Sequence, residues 1–340
     1  MHQSAFLRAL AETKGNQVTL VAENRSECGR DSQGWNEPDF GKCEVVVSPS
    51  RKQLFSYLET KGAIHTFSGI CSFPMVQQAF IQSCRMPDQR RMIFSEPWRD
   101  DGWQGKLRLF YYHWLAINYS QKVEAFLLTG QLGVNSYIKA GFPREKCHEW
   151  GYFTEMPNVT PIANLSQKHQ VLRLIFIGTW DVRKNVLALI RALKKVSRPY
   201  ECFLLGNGHL RPMIEEEVKG DSRFTLIGNV PNTQIGGWLS SCDVLVLPSL
   251  FDGWGAVVNE ALMCGTRALV SERCGASSLI VSPAHGAVFP LKEIGEALEM
   301  QIQQGMQADR ERLKVRQWAN EYISGKAVAK RFLGICRTTE

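Results

Sequence analysis

Three features that would assign this 340-residue sequence to a class at once are missing from it. Its ten cysteines form no C-x-x-C pair, which excludes the usual zinc and redox motifs. Its longest apolar stretch, residues 109–117, is interrupted by His113 and is far shorter than the ~20 residues of a membrane-spanning helix. The first residues, Met-His-Gln-Ser-Ala-Phe, lack the basic region and apolar core of a secretory signal peptide. We therefore expect a cytoplasmic protein with free thiols and no structural metal.

Basic residues are not concentrated in any part of the sequence either. The net charge is +7, with 19 basic and 16 acidic side chains in residues 1–168 and 21 and 17 in residues 169–340. This even distribution argues against a nucleic-acid partner, because nucleic-acid-binding proteins have a basic stripe or tail. A mild positive charge fits a protein that binds phosphorylated small molecules near an anionic membrane surface.

The residues that are present indicate a two-domain α/β protein. The hydrophobic fraction of 44% suffices for two cores at this length. Predicted strands are 18–22, 44–48, 64–67, 92–95 and 125–129, then 172–178, 202–205, 224–227, 244–248, 267–271 and 287–290. Predicted helices are 4–12, 75–84, 107–119, 185–196, 213–219, 234–241, 256–264 and 294–307. Such alternation predicts two doubly wound parallel sheets in tandem, joined by the polar segment 156–169.

The chain opens unusually for such a fold, because the first predicted element is the helix over residues 4–12. A doubly wound sheet normally begins with a strand near its middle, beside the ligand crevice. Without that strand, the backbone groups of the strands near Val18 and Ile64 lack partners, and the apolar face of the helix lacks a sheet to cover. We therefore expect the natural protein to start upstream of Met1, with a strand and a glycine-bearing loop.

The strongest signal in the second half is the segment P-S-L-F-D-G-W-G-A-V-V-N-E-A-L at residues 248–262. A strand ends there, a glycine-bearing loop follows, and a helix opens near Ala256. Gly253 and Gly255 have no side chain, so the loop backbone can approach a ligand closely. The amides of Ala256 and Val257, at the helix N-terminus, offer an anion site that suits a pyrophosphate.

Two carboxylates accompany this loop. Asp252 lies in the loop and Glu260 in the helix, so both can line one crevice at the carboxyl end of the sheet. A carboxylate accepts hydrogen bonds from two hydroxyls at once, as the diol of a ribose or hexose requires. The alternative is a helix cap and a surface glutamate, but the whole segment favours a site.

The segment resembles the donor-site signature of the family 4 glycosyltransferases, which are retaining enzymes of the GT-B fold. Their pattern is E-x7-E, commonly within E-G-F-G-x4-E-A, and here Asp252 stands in place of the first glutamate. The resemblance extends over residues 172–291. It implies that Asp252 contacts the sugar of a UDP-, GDP- or ADP-linked donor and that Glu260 binds the ribose.

The same resemblance gives a role to two basic residues. Family members carry a Gly-Arg pair after the first strand of this domain and a lysine a few residues later, and both cations neutralise the departing diphosphate. Here the pair is Gly178-Thr179, so Lys184 is implied as the main cation and Arg183 as the shifted second one. Fixed cations lower the barrier most where leaving-group charge develops. The alternative, a basic helix start, is disfavoured by the helix dipole. Val230 lies where the family's backbone usually contacts the base.

The first half carries weaker signals. Glu96 follows a strand and can accept a hydrogen bond from an acceptor hydroxyl. The alternative is that it is simply a carboxylate at the start of a helix, before Pro97. Residues 102–122 mix aromatic and basic side chains, as at a membrane interface or a lipid-linked acceptor site. The same mixture suits a core helix with a basic start, and core packing is our expectation.

These observations predict a GT-B protein with an acceptor-binding domain over 1–160, a nucleotide-sugar-binding domain over 161–308, and helices over 309–340 that cross back. The predicted function is retaining glycosyl transfer to a glycan or glycolipid hydroxyl, in polysaccharide or lipopolysaccharide-type synthesis, peripheral on the inner face of the membrane. Lys184, Asp252 and Glu96 are the predicted catalytic residues. No D-x-D-like pair stands out, so no metal and no cofactor is expected.

Two alternatives remain at this stage. Thr179 and Asp252 depart from the family pattern, in which an arginine and a glutamate stand at these positions. These departures also fit a non-catalytic subunit that binds a nucleotide sugar. More remotely, Gly206-Asn207-Gly208 follows a strand as half of a dinucleotide fingerprint, which would indicate an oxidoreductase, but the third glycine is missing.

Overall fold

The computed structural model describes residues 3–24, 38–160, 162, 165 and 170–338. The first half contains α1 (Ser4–Glu12), β1 (Thr19–Ala22), β2 (Glu44–Val47), α2 (Arg51–Leu58), β3 (Ile64–Ser68), α3 (Pro74–Ser83), β4 (Arg90–Ser95), α4 (Gly102–Tyr119), β5 (Ala125–Thr129), α5 (Gly130–Lys139) and β6 (Cys147–Trp150). The second half contains β7 (Leu172–Ile177), α6 (Val186–Lys194), β8 (Tyr200–Leu205), α7 (Arg211–Val218), β9 (Phe224–Gly228), α8 (Asn232–Ser240), β10 (Val244–Leu247), α9 (Val257–Met263), β11 (Arg267–Ser271), β12 (Gly286–Phe289), α10 (Ile294–Gln304), α11 (Asp309–Tyr322) and α12 (Gly325–Thr338).

All the strands pair in parallel, as the alternation predicts. β7 to β12 form one sheet in the order β12-β11-β10-β7-β8-β9, and β3 to β6 form another in sequence order. The inner strands β7 and β10 are almost entirely buried, because helices cover both faces of a parallel sheet. The strand order reverses between β7 and β10. Their carboxyl ends therefore border the crevice where open α/β sheets bind ligands.

The predicted elements agree with the structure to within a few residues, apart from α4, whose first turn begins earlier, at Gly102. Sequence reasoning missed α2, α5 and the short strand β6. The predicted polar join falls partly outside the described residues, at 161, 163–164 and 166–169. β1 and β2 form a separate parallel pair, and within the described residues neither is hydrogen-bonded to β3. The expected upstream strand stays a prediction.

The apolar face of α1 packs against Trp150 of the edge strand β6 and against α12, so it has a sheet to cover, which corrects one step of the sequence argument. The Phe6 ring lies 5.5 Å from the Trp150 ring and 5.4 Å from the Phe332 ring of α12, both edge-on. Gly325 opens α12 directly against the backbone of α1, where a Cβ would lie 2.1 Å from the carbonyl oxygen of Ala5. β6 and α12 together therefore bury the apolar face of α1.

The expectation of core packing for residues 102–122 is correct for one face of α4 only. The inner face packs in the first domain, where the rings of Tyr112 and Trp98 stack 3.8 Å apart and Leu115 is buried. The outer face is exposed although it is equally apolar. Helical periodicity cannot distinguish the two faces, because hydrophobic residues occupy both of them.

Candidate active site

The crevice between β7 and β10 is bordered by two loops that are fastened to each other. Residues 178–185 follow β7, and residues 249–256, the cleft loop, follow β10. The amide of Leu250 donates to the carbonyl of Arg183 at 2.8 Å, and the Asn185 side chain donates to the carbonyl of Pro248 at 3.1 Å. Asn185 has φ of 58°, a left-handed conformation that asparagine tolerates better than most residues. This turn brings Arg183 and Lys184 over the cleft loop.

The two predicted cations converge on one predicted carboxylate. The Lys184 ammonium lies 2.5 Å from Oδ2 of Asp252, and the Arg183 guanidinium lies 3.8 Å from the same oxygen. The Lys184 and Asp252 side chains are only 14% and 12% exposed, whereas Arg183 is 45% exposed. Gly178 lies below the Lys184 stem, where a Cβ would be 3.7 Å from the Lys184 methylenes. Arg183 also lies 3.9 Å from Oδ2 of Asp181, which accepts the amide of Lys184 at 2.7 Å through Oδ1. Two positive charges and two negative charges therefore meet in the site.

The glycines of the fragment Gly206-Asn207-Gly208 serve close backbone packing. A Cβ on Gly206 would lie 1.9 Å from the carbonyl oxygen of Gly178, and one on Gly208 would lie 2.3 Å from that of Trp180. The amide of Trp180 also donates to the carbonyl of Asn207 at 2.9 Å. These contacts explain both glycines without a dinucleotide.

Glu96 of the first domain faces the cleft loop of the second. A Cβ on Gly253 would lie 2.1 Å from Oε2 of Glu96, so a side chain at this position would require the Glu96 carboxylate to move. The Tyr152 hydroxyl donates to Oε1 of Glu96 at 2.5 Å. Glu96 is exposed, and its carboxylate therefore remains open to a ligand hydroxyl.

The domains meet around the cleft loop with little clearance. The Thr129 hydroxyl donates to the carbonyl of Gly253 at 2.8 Å. A Cβ on Gly130 would lie 2.1 Å from the carbonyl oxygen of Gly275, and one on Gly151 would lie 2.5 Å from the Trp254 ring. The first domain therefore helps to fix the loop that carries Asp252.

Trp254 and Asn259 complete this contact. The Trp254 indole N–H donates to Oδ1 of Asn259 at 2.7 Å, and the Asn259 amide donates to the carbonyl of Tyr152 at 3.0 Å. Sequence reasoning did not assign a role to either residue or to Tyr152. The tryptophan between two glycines of the cleft loop was the available signal, because a large ring beside glycines packs against a partner that must be close.

Glu260 lies on α9, half-buried, and its carboxylate makes no side-chain hydrogen bond with the described residues. Burial raises the pKa of Glu260 to about 7. The amides of Ala256 and Val257, which the sequence predicts to bind an anion, lie at the start of this seven-residue helix. Val230, after β9, is half-buried and packs against the core. The structure thus gathers Gly178, Arg183, Lys184, Asp252, Gly253 and Glu96, and gives no contact between Asp252 and Glu260.

Within the described residues, no group of three or more His, Cys, Asp or Glu side chains is placed to hold a metal ion. No helix in that part of the chain is long and apolar enough to cross a membrane.

Comparison with known proteins finds a family match and curated relatives for part of the chain, chiefly its second domain. Residues 172–307 match the family described as glycosyl transferases group 1. A curated relative, the uncharacterized glycosyltransferase MJ1607 of Methanocaldococcus jannaschii, is 28% identical over 34% of this chain and 32% of its own length. The amylovoran biosynthesis glycosyltransferase AmsK of Erwinia amylovora is 26% identical over 49% of this chain and 44% of its own length. The chain therefore spans less than half the length of these two relatives.

Solved structures give the fold of the whole chain. Anabaena HepE in complex with UDP has a TM-score of 0.65 and 11% sequence identity, and the match covers 95% of this chain and 100% of that one. The two parallel Rossmann-like sheets and this likeness show that the chain has the GT-B fold, as predicted.

Proposed function

We propose that this protein is a retaining glycosyltransferase that moves a sugar from a nucleotide sugar to a hydroxyl of a glycan or glycolipid. The observation that carries this proposal is the Lys184–Asp252 pair, 2.5 Å apart, with Arg183 beside it at the strand-order reversal. A diphosphate is the ligand class that needs two fixed cations at such a point, and a sugar is the class that needs a neighbouring carboxylate. All three residues lie in the segment that matches the glycosyl transferases group 1.

The proposed transfer uses the charges in the following way. The bond between the anomeric carbon and the diphosphate oxygen breaks, and the electron pair leaves with the diphosphate, whose growing charge Lys184 and Arg183 stabilise. The acceptor oxygen attacks from the same face of the sugar and passes its proton to the departing phosphate. Asp252 holds hydroxyls of the donor sugar. No enzymic nucleophile and no metal is required.

The acceptor side of the proposal rests on the first domain. Glu96 is exposed beside Gly253 and is oriented by the Tyr152 hydroxyl, so it is positioned to accept a hydrogen bond from an acceptor hydroxyl. The name of AmsK assigns that relative to amylovoran biosynthesis, and HepE has been captured with UDP and with UDP-glucose. We therefore infer a role in cell-surface glycan synthesis with a UDP-linked donor as the first candidate, ahead of GDP- and ADP-linked ones.

Thermal shift with nucleoside diphosphates and nucleotide sugars tests the proposed donor class. A ligand that binds only the folded state raises the melting temperature, and the rise grows with the ratio of the ligand concentration to the dissociation constant. We expect UDP, GDP or ADP, and the matching nucleotide sugar, to raise the melting temperature, and NAD to leave it unchanged. A rise with NAD alone contradicts the proposal. Binding of a nucleotide sugar that never releases nucleoside diphosphate would instead indicate the non-catalytic subunit.

Substitution of Arg183 tests whether the second cation matters. Arg183 is half-exposed and 3.8 Å from Asp252, so its interaction is screened by solvent and we expect Arg183→Ala to slow donor turnover by at most about fivefold. The measurement is the rate of nucleoside diphosphate release from the donor identified by thermal shift. Arg198→Ala, at an exposed arginine without a described ion pair, is the matched control and should change nothing. A loss larger than that of a Lys184 variant would reverse the two roles.

A further inference from the structure

The outer face of α4 carries an uninterrupted apolar stripe. Its side chains recur three or four residues apart, which places them on one side of the helix. Each is between 51% and 78% exposed, and the stripe consists of Trp103, Leu107, Phe110, Trp114 and Ile117. Monomeric proteins rarely leave so large a contiguous apolar surface in water, and such surfaces mark sites of interaction with membranes or other proteins.

The charges around this outer stripe are positive. The sequence of α4 contains no aspartate or glutamate. Lys106 lies one turn from Trp103 and from Phe110 and has no ion-pair partner within the described residues. At the far end, the Lys122 ammonium lies over the ring of Tyr119, 5.5 Å from its centre.

The two acidic residues that precede α4 are already neutralised. Asp100 pairs with Arg273 at 3.0 Å, and Asp101 pairs with Arg99 at 2.8 Å. Neither of these two carboxylates is therefore free to oppose an anionic surface.

We propose that the outer stripe of α4 docks the protein on the surface of an anionic lipid bilayer. Tryptophan and tyrosine favour the boundary between lipid head groups and hydrocarbon, and Trp103, Trp114 and the exposed Tyr111 lie on or beside the stripe. Flanking lysines add attraction to anionic head groups. A helix with an apolar face, basic flanks and no acids lies in the membrane plane rather than across it. A second copy of this chain would present the same positive flanks, and their repulsion disfavours a dimer through this face.

The position of α4 connects the docking surface to the cleft. The helix starts shortly after Glu96, and Asp100 is held by Arg273, whose carbonyl accepts the amide of Asp252 at 3.0 Å. Docking through the stripe therefore holds the mouth of the cleft near the head groups. This inference does not depend on glycosyl transfer, because lipid binding is measured by itself.

Vesicle sedimentation with the full chain tests the proposal. We expect the protein to sediment with vesicles of equal parts phosphatidylglycerol and phosphatidylcholine, and much less with pure phosphatidylcholine. Replacing Phe110 and Trp114 together by serine should weaken vesicle binding at least about tenfold, because it removes both aromatic rings from the centre of the stripe. The matched control replaces Met300 and Leu313, which are similarly exposed on the second domain, and should bind as the unmodified chain does.

Two further results separate lipid docking from its competitors. Lys106→Gln combined with Lys122→Gln should reduce binding to the anionic vesicles by about tenfold and leave the weak binding to phosphatidylcholine unchanged. Equal sedimentation of the serine variant and the unmodified chain overturns the proposal, as does the absence of binding to anionic vesicles. A dimer that the serine variant dissociates, without vesicle binding, overturns it in favour of contact between copies. An unchanged melting temperature shows that each variant is folded.

Discussion

Replacing Lys184 by alanine is expected to slow release of nucleoside diphosphate from the donor by about a hundredfold or more, with a much smaller loss of donor affinity. The ammonium is largely buried beside Asp252, where solvent screens it little, and the charge that it stabilises grows toward the transition state. The measurement compares the turnover rate and the donor dissociation constant of the variant with those of the unmodified chain. Equal losses in rate and in affinity would show that Lys184 only binds the ground state.

The variant also leaves Asp252 without its nearest partner, which by itself lowers stability. The double substitution Lys184→Ala with Asp252→Asn removes the unpaired charge. We expect it to restore the melting temperature toward that of the unmodified chain while turnover stays low. Recovery of both stability and turnover would mean that Lys184 acts on the fold rather than on the diphosphate.

Replacing Glu260 by glutamine is expected to weaken binding of the nucleotide sugar at least tenfold, because hydrogen bonds between a carboxylate and ribose hydroxyls contribute about 1.5–3 kcal/mol each. The shape of the side chain is preserved, so the fold should be retained. Isothermal titration calorimetry gives the dissociation constants. Glu299→Gln, at an exposed glutamate of α10, is the matched control. Undiminished affinity in Glu260→Gln would remove this residue from the site.

The pKa of Glu260 adds a pH dependence to the same measurement. Burial raises the pKa of this carboxyl from 4.5 to about 7, and ribose hydroxyls bind the ionised form better. Affinity for a nucleotide sugar should therefore rise as the pH increases through about 7, with a proton released on binding below that pH, and Glu260→Gln should lose this dependence. Because the folded pKa is raised, the contribution of Glu260 to stability is complete below pH 4.5 and is lost as the pH rises through about 7.

The sequence allowed most of the second domain to be predicted. Apolar strands such as β7 and β10 are continuous because both their faces are buried, and that pattern is local. The order of strands and loops then places Lys184 near Asp252. The cleft contacts of Thr129, Tyr152 and Asn259 were not predictable, since each joins residues more than a hundred positions apart.

Three elements of the first domain escaped prediction for local reasons. β6 has only four residues, Cys-His-Glu-Trp, of which only the last is buried. α5 begins at a glycine with φ of 64°, and α2 buries only Leu54 and Leu58. The helix α4 itself was predicted from its clear periodicity, but not which of its faces is exposed. Both faces are apolar, so the sequence carries no signal for the face that lies in solvent.

The contacts around the cleft loop limit how freely the two halves of the protein could be exchanged with those of relatives. The family match covers only residues 172–307, yet the loop that carries Asp252 contacts Thr129 and Gly151 of the other domain. At Gly130 and Gly151, even one added methyl group would collide with the second domain. A chimera with a foreign first domain would thus inherit an altered sugar-binding loop unless it brought matching glycines. The contacts at the cleft loop thus make the two domains dependent on each other for the shape of the sugar-binding site.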